Sequence, residues 1–294
     1  MKTKNVFEVD GRKVVLTNLE KVLFPAINGT KAELIEYYMK MASYVLPYTR
    51  GRPFSMLHFP DGVDGKSFYQ KQRPDEAPDW LKSAPIPSEH KTVEWCLVND
   101  LPSLLYMANR ACIEMHTWFS RLPDLDSPDI AVFDIDPSGN TGYAQAAEAA
   151  LLIRVALREY ALASFPKLSG ATGVHVVIPI APVPYAKVRA FLKSVCAAVV
   201  KAYPDRYTLE RTIVKRGDRV YLDAVQNARG KTLPSPYSVR ATPAATVSAP
   251  VTWYELEKGV SPGDFTMRNI GERLEKKGDL FAPVYEMRQI LPDV

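Results

Sequence analysis

The stretch Ala131-Val-Phe-Asp-Ile-Asp-Pro-Ser-Gly139 constrains this chain most. Its apolar residues read as a buried strand, and Pro137-Ser138-Gly139 end that strand just after Asp134 and Asp136. Residues i and i+2 of a strand point to one face, so the two carboxylates stand at most about 7 Å apart, a separation that oxygen-liganded divalent cations can bridge. An Asp-x-Asp pair is equally a turn former or a solvated strand end. Two later stretches bear on that choice.

The first is Pro166-Lys-Leu-Ser-Gly-Ala-Thr-Gly-Val-His-Val-Val-Ile-Pro179, a glycine-bearing turn running into an apolar strand. Gly170 and Gly173 permit backbone amides to turn inward as an anion nest, with Ser169 and His175 adding side-chain donors; a tight hairpin is the plainer alternative. It lacks the Gly-Lys-Ser/Thr of a P-loop. The second is a hairpin expected from Thr212–Val214, the turn Lys215–Asp218, and 219–223, which brings Asp223 to a strand end on the face of Tyr221.

The remaining chain reads as a frame of mixed α/β character. Val6-Phe-Glu-Val9 and Lys13-Val-Val-Leu16 flank Asp10-Gly11 as a hairpin. Asn18 is expected to cap a short helix ended by Pro25, and Thr30-Lys-Ala-Glu33 is a capping box opening a second one. Lys21 and Lys31 would then flank two helix starts, where amides and ammonium groups together hold a phosphate, or else remain solvated surface. Lys66-Ser-Phe-Tyr-Gln-Lys71 mixes aromatic and basic residues as single-stranded nucleic-acid sites do, with one ring expected in the core. The Pro-rich 72–89 segment should be an exposed loop. His116 falls on a strand spanning 113–119, and long helices are expected from Thr141 and from Pro184 to Tyr203.

Composition narrows the function classes. No apolar run approaches the roughly 18 residues that span a bilayer, and the Met1-Lys-Thr-Lys start leads into a strand pattern, so an intracellular protein without a membrane partner is expected. Three scattered cysteines fit buried thiols, and four dispersed histidines make a hard, oxygen-liganded ion a better expectation than zinc. The net charge is +4, yet residues 201–240 carry nine Lys/Arg against four Asp/Glu, a concentration that suits a polyanion or a solvated basic face.

The order Asp134-Ile-Asp136, Ser169-Gly-Ala-Thr-Gly-Val-His175, Leu222-Asp223 resembles the archaeo-eukaryotic primase superfamily. Four flanking stretches, Asn18-Leu-Glu-Lys-Val-Leu-Phe-Pro25, Asp61-Gly-Val-Asp-Gly-Lys-Ser-Phe-Tyr-Gln-Lys71, Glu114-Met-His-Thr-Trp118 and Pro236-Tyr-Ser-Val-Arg240, look like the polymerase domain of ligase D. The resemblance implies a primase-like α/β core, two sheets meeting at an acidic cluster and flanked by helices, as one domain over 1–294. Residues 1–120 would hold a DNA 5′-phosphate pocket and 121–294 the catalytic core.

By the same resemblance, Asp134, Asp136 and Asp223 bind two divalent cations, manganese or magnesium. Ser169, His175, His116, Arg240 and Lys167 meet the nucleotide, Phe68 stacks on a base, and Asn18, Lys21 and Lys31 grip a 5′-phosphate across a gap. The implied function is gap filling and 3′-end extension by template-directed nucleotide transfer in non-homologous end joining, with ribonucleotides preferred. NTPs or dNTPs, gapped or broken DNA, Ku and a DNA ligase are the implied partners, in the cytoplasm at the nucleoid. Rival readings are a replicative primase and a non-catalytic DNA-end-binding module. The sequence departs from the pattern at Thr172, where many relatives carry Lys, and at Gln226, where some carry Arg. It has no Lys-x-Asp-Gly adenylation motif and no phosphoesterase module, which suits a stand-alone polymerase or an excised domain.

Overall fold

In the computed structural model, which describes residues 4–88 and 91–293, the Ile130–Asp136 strand is the middle of a five-stranded sheet. The strand order is Phe165–Leu168, Val174–Pro179, Ile130–Asp136, Val220–Asp223, Tyr207–Thr208, antiparallel except for the last pair. Strand alternation separates two functions. Ala131, Phe133 and Ile135 join Val174, Val176, Ile178, Val220 and Leu222 in one hydrophobic cluster with the helices Tyr143–Glu159 and Tyr185–Ala202. Asp134 and Asp136 alternate with these residues and so belong to the opposite face, as do His175 and Asp223.

This sheet belongs to a unit formed by Asp124–Lys231, Ser248–Phe265 and Lys277–Val294. The other unit, Met1–Pro123 with Thr232–Val247 and Thr266–Lys276, is built on a six-stranded sheet. Its path runs Leu233–Pro234, Cys112–Thr117, Pro53–His58, Thr92–Leu97, Ser83–Pro87, with Phe68–Gln70 added beside Pro53–His58. Arg240 therefore lies in the unit of His116, not in that of the acids.

Three local expectations are corrected. Asn18 caps no helix: it takes a left-handed conformation (φ 52°), Val22–Phe24 pairs with Gly29–Thr30, and Pro25 opens a 3-10 turn rather than ending a helix. Part of the expected 72–89 loop, Ser83–Pro87, is a strand, because Pro85 and Pro87 are tolerated on a sheet edge; Glu89 lies outside the described residues, as does the Met1–Thr3 start. The Thr212–Val214 arm of the expected hairpin is instead a helical turn, Ile213–Arg216, whose Ile213 and Val214 are 73% and 92% exposed. Their β-branched pattern suggested a strand, but no sheet face receives them. The opening hairpin, the complete Thr30–Glu33 capping box and three buried free cysteines agree with expectation. Among the described residues no helix is long and apolar enough to cross a membrane.

Where the Val220–Asp223 strand no longer pairs with the central strand, a side chain continues the ladder. Asn227, fully buried, accepts from the Val132 amide (2.9 Å) and donates to the Val132 carbonyl (2.6 Å), two residues from Asp134. Asn227→Ala strands both main-chain groups in the interior, and each costs about 1–3 kcal/mol. Denaturant unfolding should show a loss of about 2–6 kcal/mol; a variant within error of wild type would mean the sheet closes without this side chain.

Candidate active site

A single row of polar residues crosses the five-stranded sheet. Lys167 pairs with His175, His175 with Asp134, and Asp134 with Asp223, each in direct cross-strand register. Lys167, His175 and Asp134 are buried. The Lys167 ammonium lies 2.8 Å from His175 Nδ1 and donates to Ser248 Oγ at 2.5 Å. An ammonium has only protons to give, so His175 Nδ1 accepts and its proton sits on Nε2, 3.2 Å from Asp134 Oδ1. The chain Ser248–Lys167–His175–Asp134 thus fixes both the tautomer and the carboxylate.

Asp223 Oδ1 accepts the backbone amides of Val225 (2.8 Å) and Gln226 (2.9 Å). In the next register Asp136 faces Tyr221, whose ring carries the Arg216 guanidinium 3.8 Å from its centroid. Burial first, and then the charge of Asp223, push the Tyr221 phenol up, so it stays protonated. Among the described residues no three acidic, imidazole or thiol groups stand close enough to hold a metal ion as they are. The donor set itself, three carboxylates on one sheet face and no thiolate, suits hard divalent cations.

The glycine turn also differs from expectation. Ser169 Oγ accepts the amides of Ala171 (3.2 Å) and Gly173 (3.0 Å), so these two do not form an open nest. Gly173 is required by close approach: a Cβ there would lie 2.5 Å from the Ile135 carbonyl oxygen and 3.1 Å from Asp136 Oδ1.

In the other unit, Glu114 and His116 project from one face of Cys112–Thr117, and Arg240 reaches Glu114 from the segment after Leu233–Pro234. Phe68 and Tyr69 are 50% and 60% exposed, against the expectation of one core ring. Alternation splits them. Phe68 lies against His58 (centroids 4.9 Å), whereas Tyr69 stands edge-on to His116 (5.9 Å). The ring beside His116 is therefore Tyr69.

Lys21 and Lys31 are brought together, but not by two helix starts. Lys31 is buried at the first position of the helix Lys31–Lys40, and Lys21 lies in the turn after Asn18. Burial, then the charge of Lys21, bring the Lys31 ammonium down to about 8. Lys21 pairs with Asp61 (2.8 Å), and Lys31 contacts Thr17 Oγ1 (3.4 Å). The Lys31, Ala32 and Glu33 amides already bond to Lys21 O, Leu19 O and Thr30 Oγ1. Side chains, not helix amides, must supply any phosphate contact here.

The basic 201–240 segment does not act as one face. Arg206 pairs with Glu148, Arg229 with Asp126, and Arg240 belongs to the other unit. Sequence reasoning left Glu114, Tyr69, Ser248 and Asn227 without roles. Glu114 carried a signal in its i, i+2 spacing from His116, and Tyr69 in its place within the aromatic–basic stretch 66–71; Ser248 and Asn227 carried none.

The sheet with its acidic row and buried Lys–His support defines a mixed α/β domain with one apolar face and one carboxylate-bearing face. Residues 30–281 match the family described as LigD, primase-polymerase domain, and the chain belongs to that family. It is 32% identical over 282 residues to the bifunctional non-homologous end joining protein LigD of Bacillus subtilis, covering 95% of this chain and 45% of that one. It is 33% identical over 280 residues to the multifunctional LigD of Mycolicibacterium smegmatis, covering 92% and 36%. Among solved structures it matches the polymerase domain of Mycobacterium tuberculosis ligase D in complex with DNA, with a TM-score of 0.88, 31% identity, and coverage of 94% and 99%. The chain spans less than half the length of these curated relatives but nearly all of the solved polymerase domain.

Gly173→Ala tests the packing of this face. The added methyl must displace the Ile135–Asp136 backbone, so we expect a stability loss of about 1–3 kcal/mol in denaturant unfolding. Wild-type unfolding would show that the turn is free to shift.

Proposed function

We propose that this chain is a template-directed nucleotidyltransferase that fills gaps and extends 3′ ends at broken DNA during non-homologous end joining, with ribonucleotides preferred. The observation that carries the proposal is the placement of Asp134 between His175 and Asp223, with Asp136 two residues on, all on the sheet face opposite the helices. Phosphoryl transfer calls for positioning and charge neutralisation more than for a covalent group, and this row supplies fixed carboxylates backed by buried donors.

Asp134, Asp136 and Asp223 would hold two divalent cations, manganese or magnesium, which when bound neutralise phosphate charge and activate the primer hydroxyl. The protein's own side chains do the rest. Lys167, anchored on Ser248, orients His175, and His175 orients Asp134. Ser169 and the turn that it closes border Asp136 and would receive the triphosphate. In the other unit, His116 and Arg240 would contact the nucleotide, with Phe68 and Tyr69 offering two separately directed stacking rings. Asn18, Lys21 and Lys31 would hold the 5′-phosphate of the downstream strand. Ku and a DNA ligase are the proposed partners, in the cytoplasm at the nucleoid.

The test is primer extension on a gapped duplex, comparing ribo- with deoxynucleotides in manganese and magnesium; absence of incorporation with DNA binding retained would favour an end-binding module. Asp223→Asn keeps the shape and its backbone contacts but removes a charge, so extension should fall about a hundredfold or more while gapped-DNA affinity is kept. Near-normal extension would remove Asp223 from the cation site.

The 5′-phosphate pocket makes a pH prediction. Lys31 is cationic below about 8 and neutral above it. The phosphate is already a dianion across the range from about pH 7 to about pH 9. Preference for 5′-phosphorylated over 5′-hydroxyl gapped DNA, about 5- to 150-fold at the lower pH, should therefore shrink as pH rises through about 8. Binding titrations at one salt concentration measure it. A preference that is flat in pH, or unchanged in Lys31→Ala, would place the phosphate elsewhere.

A further inference from the structure

Glu114 is a buried carboxylate with no part in the chemistry above, yet it bonds two side chains that have one. It lies two residues before His116, so both project from one face of the Cys112–Thr117 strand. Glu114 Oε2 is 2.9 Å from His116 Nε2. Its Oε1 is 3.1 Å from Arg240 Nε and accepts the Ala241 amide at 3.1 Å. Both oxygens are thus committed, to donors more than a hundred residues apart in sequence. Burial alone would push this carboxyl up, but the His116 hydrogen bond and the Arg240 charge outweigh it and hold the group at about 2. Glu114 is therefore an anion at any working pH and has no proton to donate, so the proton between it and His116 resides on Nε2.

We infer that Glu114 is the positioning residue of the His116–Arg240 pair: it fixes His116 as the Nε2–H tautomer with that edge turned inward, and it sets the Arg240 guanidinium and the Ala241 backbone at the same point. Nε2 of His116 is thereby withdrawn from any nucleotide contact. A buried anion held by two N–H donors and an ion-paired guanidinium resists rearrangement, since removal of any one partner leaves charge or an N–H uncompensated. This inference rests on the reading that His116 and Arg240 meet the nucleotide.

Glu114→Gln keeps the size and removes the charge, whereas Glu114→Asp keeps the charge and shortens the reach. The chain has four histidines, so imidazole N–H signals can be assigned by NMR, with His116→Ala identifying the one that matters. Wild type should show a His116 Nε2–H proton protected from exchange, and Glu114→Ala, which removes the acceptor, should lose it. With ribonucleoside triphosphate as the varied substrate, Glu114→Gln should raise KM about tenfold with kcat and gapped-DNA affinity little changed, and Glu114→Asp should recover part of the loss. In the His116→Ala, Arg240→Ala background the same substitution should add nothing further. An unchanged Nε2–H signal, or a full KM effect that persists in that background, overturns the inference. A lowered melting temperature with unchanged KM and unchanged signal assigns Glu114 to packing and also overturns it. If His116→Ala and Arg240→Ala alone leave KM unaltered, the nucleotide reading fails, while the N–H signal still decides what Glu114 does.

Discussion

Asp134 and Asp223 stand directly opposite one another on neighbouring strands, an arrangement in which like charges repel. Much of the surrounding structure offsets that repulsion. Two backbone amides hold one oxygen of Asp223, and His175, oriented by a buried lysine, donates toward Asp134. Asn227 completes the ladder two residues away, and Gly173 lets the neighbouring turn approach without displacing Asp136. The apolar alternation of the same strand anchors it against two long helices, so the strained polar face rests on a well-packed one. Local stability yielding to a charged constellation is the pattern expected of a functional site.

The two units carry different chemistry. The five-stranded sheet concentrates carboxylates, supported through His175 by the buried Lys167 ammonium. The six-stranded sheet concentrates an anion, Glu114, under His116 and Arg240, with aromatic rings at an exposed edge. In each, a buried ion of one sign orients a group of the other, and no ion is left to burial alone.

How much of this was legible in the sequence depends on the range of the interaction. The central strand, its two acids and the capping box at Thr30 follow from alternation and capping rules within a few residues. Membership of the polymerase family was readable from motif order along the whole chain. The Lys167–His175–Asp134 chain was not, because its tautomer logic exists only once three strands are in register. Leu233–Pro234 is a two-residue strand with a proline, too short for any periodicity, so Arg240 could not be assigned to the unit of His116. The prolines that marked 83–87 as a loop mark a sheet edge instead.

The return of Thr232–Val247 and Thr266–Lys276 to the first unit has a consequence for biosynthesis. A nascent chain emerging from the ribosome could assemble much of that unit early, but its sheet would lack the strand that pairs with His116 until the acidic strands had been translated. Pairings of such long sequence separation form late and slowly. The newborn polymerase domain therefore passes through a stage in which the Cys112–Thr117 strand is an unprotected edge, and a break in translation between 223 and 232 would release a chain bearing every carboxylate of the acidic row but not Arg240.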